Sequence, residues 1–443
     1  MSAVWALCAL LVMMCGGVGF ASALLGRMRV SAMEFAGCAV MFGSLWISAG
    51  MFGLGAVLHG SALVEVLSAL SIVVGVMGFF PVRAVGFVPL GRWLTVAVGV
   101  ATGIVLAYAL VLPLNQDGVF NFEFSARIAA ANGGSVPQSF GVDPSRVWMH
   151  ATYPPLVSLC EAWVYLWMGG PHQVWVKLLG ALWFFGAASF LTGNVARVTG
   201  SSTRAAVALT LLLATPGIAL VPGGAAWTWA DFPLAVFVLF AVSWIATIRD
   251  EPRGGRMVAA SLAGMVWVKQ EGLVFSVLIL GAMAWNHPAN GRWRAVAAGM
   301  VAMMVTVAVW KGHLIWDSVL STKEFYPVTE IVDHVGRVPR IMRWMGEELI
   351  VWRRWALFWL LVIITLPRLR RPELAAWRAV VFGAVAALAL YVGVYSLTTW
   401  QSVHLHIFTS FPRLLIPVAM IMVAFLAHAW PCGTADEKPS EGA

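Results

Sequence analysis

The sequence predicts an all-α protein that is embedded in a membrane through many helices. Two observations lead to this class. The chain has 443 residues, of which 60% are hydrophobic and only 11% charged, whereas soluble domains carry about 25% charged residues. Most of the chain also consists of apolar runs of about 17–25 residues, the length with which an α-helix crosses a bilayer. The alternating ten-residue segments that predict a membrane β-barrel are not seen in the sequence.

The charge pattern also fits a membrane protein. The formal net charge is +8, which in a soluble protein would suggest a nucleic-acid partner. Here the arginines lie in short loops between apolar runs, where basic residues set the orientation of helices. No nucleic acid is therefore expected as a partner. The five cysteines show neither metal nor disulfide spacing.

Three apolar runs form an N-terminal unit, residues 1–92. No basic residue precedes the first run, residues 3–25, as one would in a secretory signal, and Arg27 and Arg29 follow it. The positive-inside rule then places the N-terminus outside and these arginines in the cytoplasm. The other predicted elements of this unit are the runs 33–58 and 61–80 and a second cytoplasmic loop with Arg83 and Arg92.

Residues 93–430 form a second, larger unit, and a polar tail, residues 431–443, ends the chain. The run 93–114 leads outward to a polar external loop, residues 115–153. The next run, 154–168, is short, so that either it does not fully cross or one later basic loop breaks the positive-inside rule. Beyond it, basic loops alternate with external polar segments. The total is about 13 crossings of about 20 residues each.

Four polar clusters fall on the external face in this topology. They are the segment from Asp117 to Arg127, the stretch 222–231 that ends in Asp231, the turn Lys269-Gln270-Glu271, and residues 399–413. Ionisable groups at membrane depth usually mark a function or a matched partner. Each cluster also has a structural explanation, such as a solvated loop acid, a helix-start acid, a self-neutralising Lys–Glu pair or a snorkelling arginine.

Helical periodicity suggests how two of these clusters are arranged. Phe120, Phe124 and Ile128 repeat at i, i+4 and i+8, which predicts a short helix that lies on the bilayer with this face buried. Glu123 and Arg127 form an i, i+4 ion pair on another face. In the last cluster His406, Ser410 and Arg413 share a helix face, provided that Pro412 does not interrupt the helix.

In their order along residues 95–420, these clusters resemble the GT-C superfamily of integral-membrane glycosyltransferases. The resemblance is to protein O-mannosyltransferases, aminoarabinose transferases and bacterial proteins with an RgtA/B/C/D-like domain. The matching elements are Asp117 after an early membrane helix, the helix start from His150 to Leu156, the Asp-Phe-Pro-Leu element at Asp231, the Lys-Gln-Glu-Gly element at Lys269, and His406, Ser410, Arg413 and Leu414. No second acid directly follows Asp117, so the Asp-Glu pair of O-mannosyltransferases is missing.

The resemblance implies transfer of a sugar from a polyprenyl-phosphate donor to a lipid, glycan or protein acceptor. It implies Asp117 as the base that activates the acceptor hydroxyl, with inversion by direct displacement. The implied phosphate ligands are Lys269, Arg413 and His406. The implied orienting or substrate-binding residues are Asp231, Glu271, Arg127, Tyr153 and Ser410. It leaves a divalent metal open, and it places the site on the periplasmic face of the bacterial cytoplasmic membrane.

Two other classes of protein are compatible with the same residues. A transporter or lipid flippase also places charges at broken helices in the membrane, but it tends to show internal repeats, and none is convincing here. A structural membrane protein would use the polar clusters as caps and interface anchors, and these would scatter over the fold. Whether the clusters meet in one cavity therefore separates an enzyme from a structural protein.

Overall fold

A computed structural model describes residues 2–26, 28–82, 87–88, 91–114, 118–319 and 325–431. Asp117, the predicted base, lies outside these ranges, as do Arg27, Arg83 and the C-terminal tail from residue 432. Within them the protein is almost entirely helical, as predicted. The helices are α1 (Ser2–Leu25), α2 (Ala32–Leu54), α3 (Ser61–Val82), α4 (Arg92–Val111), α5 (Phe124–Ala131), α6 (Gln138–Gly141), α7 (Leu156–Met168), α8 (Leu178–Thr199), α9 (Ser202–Ala214), α10 (Pro216–Ala219), α11 (Asp231–Thr247), α12 (Gly254–Val268), α13 (Gly272–Asn286), α14 (Arg292–Trp316), α15 (Ile331–His334), α16 (Val338–Leu349), α17 (Trp352–Trp355), α18 (Phe358–Thr365), α19 (Ala375–Ser396) and α20 (Val403–Ala429).

Among the described residues, eight helices are long and apolar enough to cross a membrane: α1, α2, α3, α4, α8, α14, α19 and α20. Five shorter apolar helices, α7, α9, α11, α12 and α13, accompany them. An α-helix satisfies its backbone hydrogen bonds internally, which is why apolar helices are stable in lipid. Large apolar side chains such as Val100, Val305 and Phe382 are exposed on the outer helices. Several apolar helices and such a surface indicate a membrane protein.

Glycines allow α1 to pack closely against α2. A Cβ atom built on Gly17 would lie 1.8 Å from the carbonyl oxygen of Ala39, and one built on Gly43 would lie 2.4 Å from that of Met13. Lipid provides no hydrophobic drive for helices to associate, so close backbone contact through small residues is a common alternative. Both helices also pack against α7, and α2 packs against α8, so they are continuous with the rest of the bundle.

Several of the described basic loops lie at one end of the bundle, which we call the arginine end, whereas Arg337 lies at the other end, where it donates to the Ser396 and Thr398 carbonyls. There Arg204 Nε donates to the carbonyl of Trp430 at 3.0 Å, just after α20 ends. Arg368 donates to the carbonyl of Ala429, and Arg197 pairs with Glu34 at the start of α2 at 2.8 Å. Two short parallel strands, β1 (Val30–Ser31) and β2 (Phe87–Val88), join the α1–α2 and α3–α4 connections. These loops therefore share one side, as the positive-inside rule predicts.

The short helix α7 begins and ends at the opposite end of the bundle. Just before it, the Thr152 carbonyl accepts a 3.0 Å hydrogen bond from Gln270 in the α12–α13 turn. Near its end, the ring of Trp167 lies 6.1 Å from that of Trp5 at the start of α1. Lys177 then donates to the Leu112 carbonyl at 2.6 Å, just after α4 ends. Of the two explanations that the sequence leaves open, the structure favours a helix that does not cross.

A short helix follows Asp117, and its position on the bilayer surface stays a prediction. The residues that it buries within the protein are not those of the predicted apolar face. Gly118–Glu123 forms a π-helix that continues as α5. Phe120, Phe124 and Ile128 are only half-buried. The fully buried side chains include Phe122, Ala126 and Ala129, and this helix packs against α7. The i to i+5 bonds of a π-helix shift the positions of the faces relative to a regular α-helix.

The predicted ion pair between Glu123 and Arg127 is confirmed. Glu123 is buried, however, and it also accepts a 3.1 Å hydrogen bond from the hydroxyl of Tyr165 in α7. The pair therefore anchors the segment after Asp117 to the bundle, because a buried carboxylate is stable only where hydrogen bonds satisfy it.

Candidate functional site

Several of the predicted polar residues meet in one cavity of about 580 Å³ at the end opposite the arginine end. Its lining includes Tyr153, Lys269, Glu271, His406, Ser410 and Arg413. These residues come from the loop before α7, the α12–α13 turn and the first turns of α20. Convergence in one place is the outcome expected of a functional site rather than of scattered helix caps. We call this space the cationic cavity.

Lys269 is the best-fixed charge in the cationic cavity. It is 6% exposed, and its Nζ lies 2.7 Å from Asp231 Oδ1 and 3.2 Å from Glu271 Oε1. Burial lowers the pKa of Lys269, but the two carboxylates outweigh this effect and hold its pKa above the ordinary value. Asp231 is also buried and lies behind Lys269. It does not line the cavity itself, but its carboxylate holds the Lys269 ammonium group in position.

The local sequence explains why Lys269 points inward. Helix α12 ends at Val268 and α13 begins at Gly272, so the turn has three residues. A Cβ atom on Gly272 would lie 1.9 Å from the carbonyl oxygen of Met265. Only glycine lets α13 start so close to α12. The apolar stretch 257–285, which Lys269 and Glu271 interrupt in the sequence, is thus two short helices with a paired charge at the turn between them.

Arg413 provides the second cation of this cavity. Helix α20 continues through Pro412 and Pro417, so the predicted face with His406, Ser410 and Arg413 is present. The guanidinium carbon of Arg413 lies 5.0 Å from the centre of the Trp229 ring, within the range of a cation–π contact. The connection before α11 therefore forms a platform for Arg413.

His406 and Ser410 are held by neighbours from the end of α19 and the connection to α20. The His406 Nδ1 atom lies 2.7 Å from the hydroxyl of Thr398, and its ring stacks on that of Trp400, with centres 4.4 Å apart. The Ser410 hydroxyl lies 2.7 Å from that of Tyr395. These contacts fix the imidazole and place a tyrosine hydroxyl at the cavity wall.

The cationic cavity has one apolar side. Val274 of α13 and Leu390 and Val394 of α19 line it, and Leu390 is 48% exposed. The cavity thus joins two cations to a lipid-facing apolar wall between two helices. The hydroxyl of Tyr391 lies beside this wall and is buried, with no hydrogen bond to the residues that the structure describes. A buried hydroxyl of this kind calls for a partner.

Three of the residues expected in the site are not among its described lining. Asp231 lies behind Lys269, as described above. Arg127 pairs with Glu123, and its side chain is 40% exposed. Asp117 lies outside the described residues. Its neighbour in the chain, Gly118, lies against Trp229, since a Cβ atom there would come 2.8 Å from the indole Nε1. Asn121 follows and lines the cavity.

Sequence patterns did not indicate the aromatic residues that shape the cavity. Tyr391, Tyr395 and Trp400 line it, and Trp229 contacts Arg413. One signal was available for the tyrosines, because the chain has only six and Tyr153, Tyr391 and Tyr395 all lie here. A hydroxyl in an apolar helix usually has a polar partner. The tryptophans gave no such signal, since interface anchoring explains any Trp near a helix end.

Within the ranges that the structure covers, no three His, Cys, Asp or Glu side chains group as a metal site. The fold and the site define a helical membrane protein with a two-cation, apolar-walled cavity at one end. Comparisons with family models, with curated proteins and with solved structures find no match for this chain.

Proposed function

We propose that the protein is a membrane glycosyltransferase that takes a sugar from a polyprenyl-phosphate donor. The observation that carries this proposal is the cationic cavity, in which Lys269 and Arg413 adjoin the apolar wall of α13 and α19. A polyprenyl-phosphate sugar has an anionic phosphate, a polar sugar and a long apolar tail. Its three parts match the cations, the hydroxyl-lined interior and the lipid-facing wall.

The donor phosphate would lie between Lys269 and Arg413. Because Asp231 and Glu271 keep Lys269 charged, it acts as a fixed positive charge, whereas the arginine fork can bind two phosphate oxygens. His406 supplies an imidazole nitrogen nearby. The buried hydroxyl of Tyr391 would gain a partner from a sugar or phosphate oxygen. In this reading Ser410 acts indirectly, by holding the hydroxyl of Tyr395.

The reaction is a single displacement at the anomeric carbon. The bond between C1 and the phosphate oxygen breaks, and its electron pair leaves with the polyprenyl phosphate. The acceptor oxygen forms the new bond to C1, and its proton passes to a base. Asp117 is the proposed base, because its chain neighbours Gly118 and Asn121 border this site. Preorganised cations stabilise the charge that develops on the leaving group.

We also propose thirteen membrane crossings. These are the eight long helices, α9, α11, α12, α13, and α18 continued by the segment Leu366–Arg370. Arg368 supports the last of them, because it reaches the carbonyl of Ala429 at the arginine end. With the arginine end in the cytoplasm of a bacterium, the cationic cavity faces the periplasm.

The substitution Asp117→Asn tests the catalytic part of the proposal. Purified protein in liposomes is given polyprenyl phosphates that carry labelled mannose, glucose, galactose or arabinose, together with a cell-envelope extract as the source of acceptor. We expect the wild type to transfer one of these sugars, and Asp117→Asn to lose about 10²–10⁴-fold in rate. Asp143→Asn is the matched control, since Asp143 is an acid of the same loop that does not line the cationic cavity.

Two results would overturn this proposal. Full transfer by the Asp117→Asn protein would remove Asp117 from the role of base. A wild type that consumes none of the donors but moves one of them intact to the other leaflet would be a flippase, the alternative that the sequence also allows.

A further inference from the structure

A second cavity of about 500 Å³ adjoins the cationic cavity. It lies between the ends of α2 and α14, the start of α7 and the loop before α7. Phe52, Gln138, Ser158, Trp310, His313 and Asp317 are among its lining. The two cavities share Asn121, His150 and Tyr153. We call this space the neutral cavity, because the residues that the structure describes along its wall include neither Lys nor Arg.

The shared wall between the two cavities is a stacked ring pair. The rings of His150 and Tyr153 lie 4.9 Å apart, with planes at 11°. His150 has a left-handed backbone conformation, with φ 48° and ψ 49°. For a residue other than glycine this conformation costs about 1–3 kcal/mol and persists mainly at functional sites. The wall thus contains a strained backbone position. Asn121, which lies four residues after Asp117 in the chain, is next to this wall and lines both cavities.

The chemistry of the neutral cavity differs from that of its neighbour. Its described charged group is the Asp317 carboxylate, whose Oδ2 lies 3.3 Å from His313 Nδ1. The ring of Phe52 meets that of His313 edge-on at 5.1 Å, and the Trp310 ring lies 5.4 Å from it. Gln138, Ser158 and Asn121 add amide and hydroxyl groups.

This set of groups fits a neutral, hydroxyl-rich ligand. Each sugar hydroxyl both donates and accepts hydrogen bonds, and carboxylate, amide and hydroxyl side chains complement both roles. The apolar faces of sugar rings suit aromatic walls, which bury large apolar area. Because the described lining has a carboxylate and neither Lys nor Arg, it would disfavour an anionic ligand.

We propose that the neutral cavity binds the acceptor of the transfer reaction, and that this acceptor is a neutral saccharide. The acceptor role rests on the proposed glycosyltransferase function. A saccharide in the neutral cavity would present one hydroxyl at the wall formed by Asn121, His150 and Tyr153. The donor sugar would approach the same wall from the cationic cavity. Asp317 positions the saccharide and takes no part in breaking or forming bonds.

The first experiment measures binding without turnover. The full-length protein in nanodiscs is titrated with mannotriose and maltotriose, and with trigalacturonic acid as an anionic probe, by saturation-transfer NMR. We expect a neutral trisaccharide to bind and trigalacturonic acid not to bind. Asp317→Asn and Gln138→Ala should each weaken binding about tenfold, which is ~1.4 kcal/mol. Ala56→Trp, at an exposed turn position of the lining, should fill the cavity and abolish binding.

The matched control is Asp333→Asn, at an exposed acid that lines neither cavity, and it should leave saccharide binding unchanged. Stronger binding of trigalacturonic acid than of both neutral probes would overturn the inference. So would wild-type binding by the folded Ala56→Trp protein.

A second measurement separates this inference from the proposed function. Release of labelled sugar from the donor to water needs only the cationic cavity. One outcome is that the donor is turned over but Ala56→Trp leaves the KM for the saccharide acceptor unchanged. The assignment of the neutral cavity to the acceptor is then wrong, while the proposed transferase function is retained. If no donor is consumed while neutral saccharides still bind in an Ala56→Trp-sensitive manner, the transferase and the acceptor role are wrong and a saccharide site remains.

Discussion

Lys269 and Asp231 form a buried ion pair across two neighbouring helices, with Nζ and Oδ1 2.7 Å apart. Asp231 opens α11 and Lys269 follows the last residue of α12. The pair therefore fixes the relative position of the cavity ends of these helices. It also holds the Lys269 cation at the wall of the cationic cavity.

The pair should behave differently in single and double variants. Asp231→Asn and Lys269→Gln each leave a buried charge without its main partner, which costs about 3–5 kcal/mol. The double variant removes both charges and should be more stable than either single variant, because neutral replacements avoid the desolvation penalty. Unfolding in detergent, followed by the near-ultraviolet signal, measures this. Sugar transfer should stay lost in the double variant, so recovered activity would show that the pair serves only stability.

The pH dependence of stability tests the charge state of Lys269. In the wild type its pKa is raised, so its contribution is complete below the ordinary lysine pKa and is lost only as the pH rises through the raised value. In Asp231→Asn/Glu271→Gln, the pKa of Lys269 is lowered, because burial and the charge of Arg413 are no longer outweighed by the two carboxylates. The unfolded chain then binds more protons, so stability rises with pH, by at most ~1.4 kcal/mol per pH unit.

Thermal unfolding midpoints of the two proteins between pH 7 and pH 10 check this expectation. The difference between the two midpoints should shrink as the pH rises. Titratable groups that both proteins contain affect both midpoints equally and do not contribute to this difference. Parallel profiles would contradict the assignment of a charged, carboxylate-held Lys269.

Gly272 should be required for the α12–α13 turn. A methyl group there meets the Met265 carbonyl, so Gly272→Ala must push α13 outward, and overpacking of this kind costs about 1–3 kcal/mol. The control is Gly281→Ala in the same helix, where an added Cβ atom meets nothing within 4 Å. Gly281→Ala should melt like the wild type, and equal effects of the two substitutions would rule out the steric explanation.

Arg413→Lys should weaken donor binding although it keeps the charge. Lysine cannot bind two phosphate oxygens in a fork, and it loses the planar contact with Trp229. We expect the KM for the donor to rise about tenfold, or ~1.4 kcal/mol, with an unchanged fold by circular dichroism. Arg378→Lys, an exposed position at the arginine end, is the control. An unaltered donor KM in Arg413→Lys would exclude Arg413 from the phosphate site.

The sequence predicts those features whose signal is local. Lys269 and Glu271 stand out because they interrupt an apolar run, and the three-residue turn follows from that interruption. The partner of Lys269 could not be identified in the same way, because Asp231 lies 38 residues away and only packing of α11 on α12 joins them. Periodicity also did not indicate which residues of α5 are buried within the protein, because it assumes regular α-helical turns and a π-helix precedes α5.

The neutral cavity could not be foreseen for a related reason. Phe52 and Trp310 have the composition of ordinary membrane-helix residues, and the functional meaning of His150 and Tyr153 depends on a wall that only the tertiary structure forms. Pattern analysis detects polar residues in apolar surroundings, but it does not detect aromatic residues that line a space.

The path of α7 has a consequence for how the protein is made. Its residues from Leu156 to Tyr165 are all buried, and among its neighbours are α1 and α2, which leave the ribosome before it. The surface that receives α7 can therefore exist in the bilayer before α7 is synthesised. Because both ends of α7 lie at the same end of the bundle, a failure to seat it would not invert any helix that follows. Errors at this step would produce a chain with the correct orientation and an incomplete site, which the cell's quality control could not recognise from its topology.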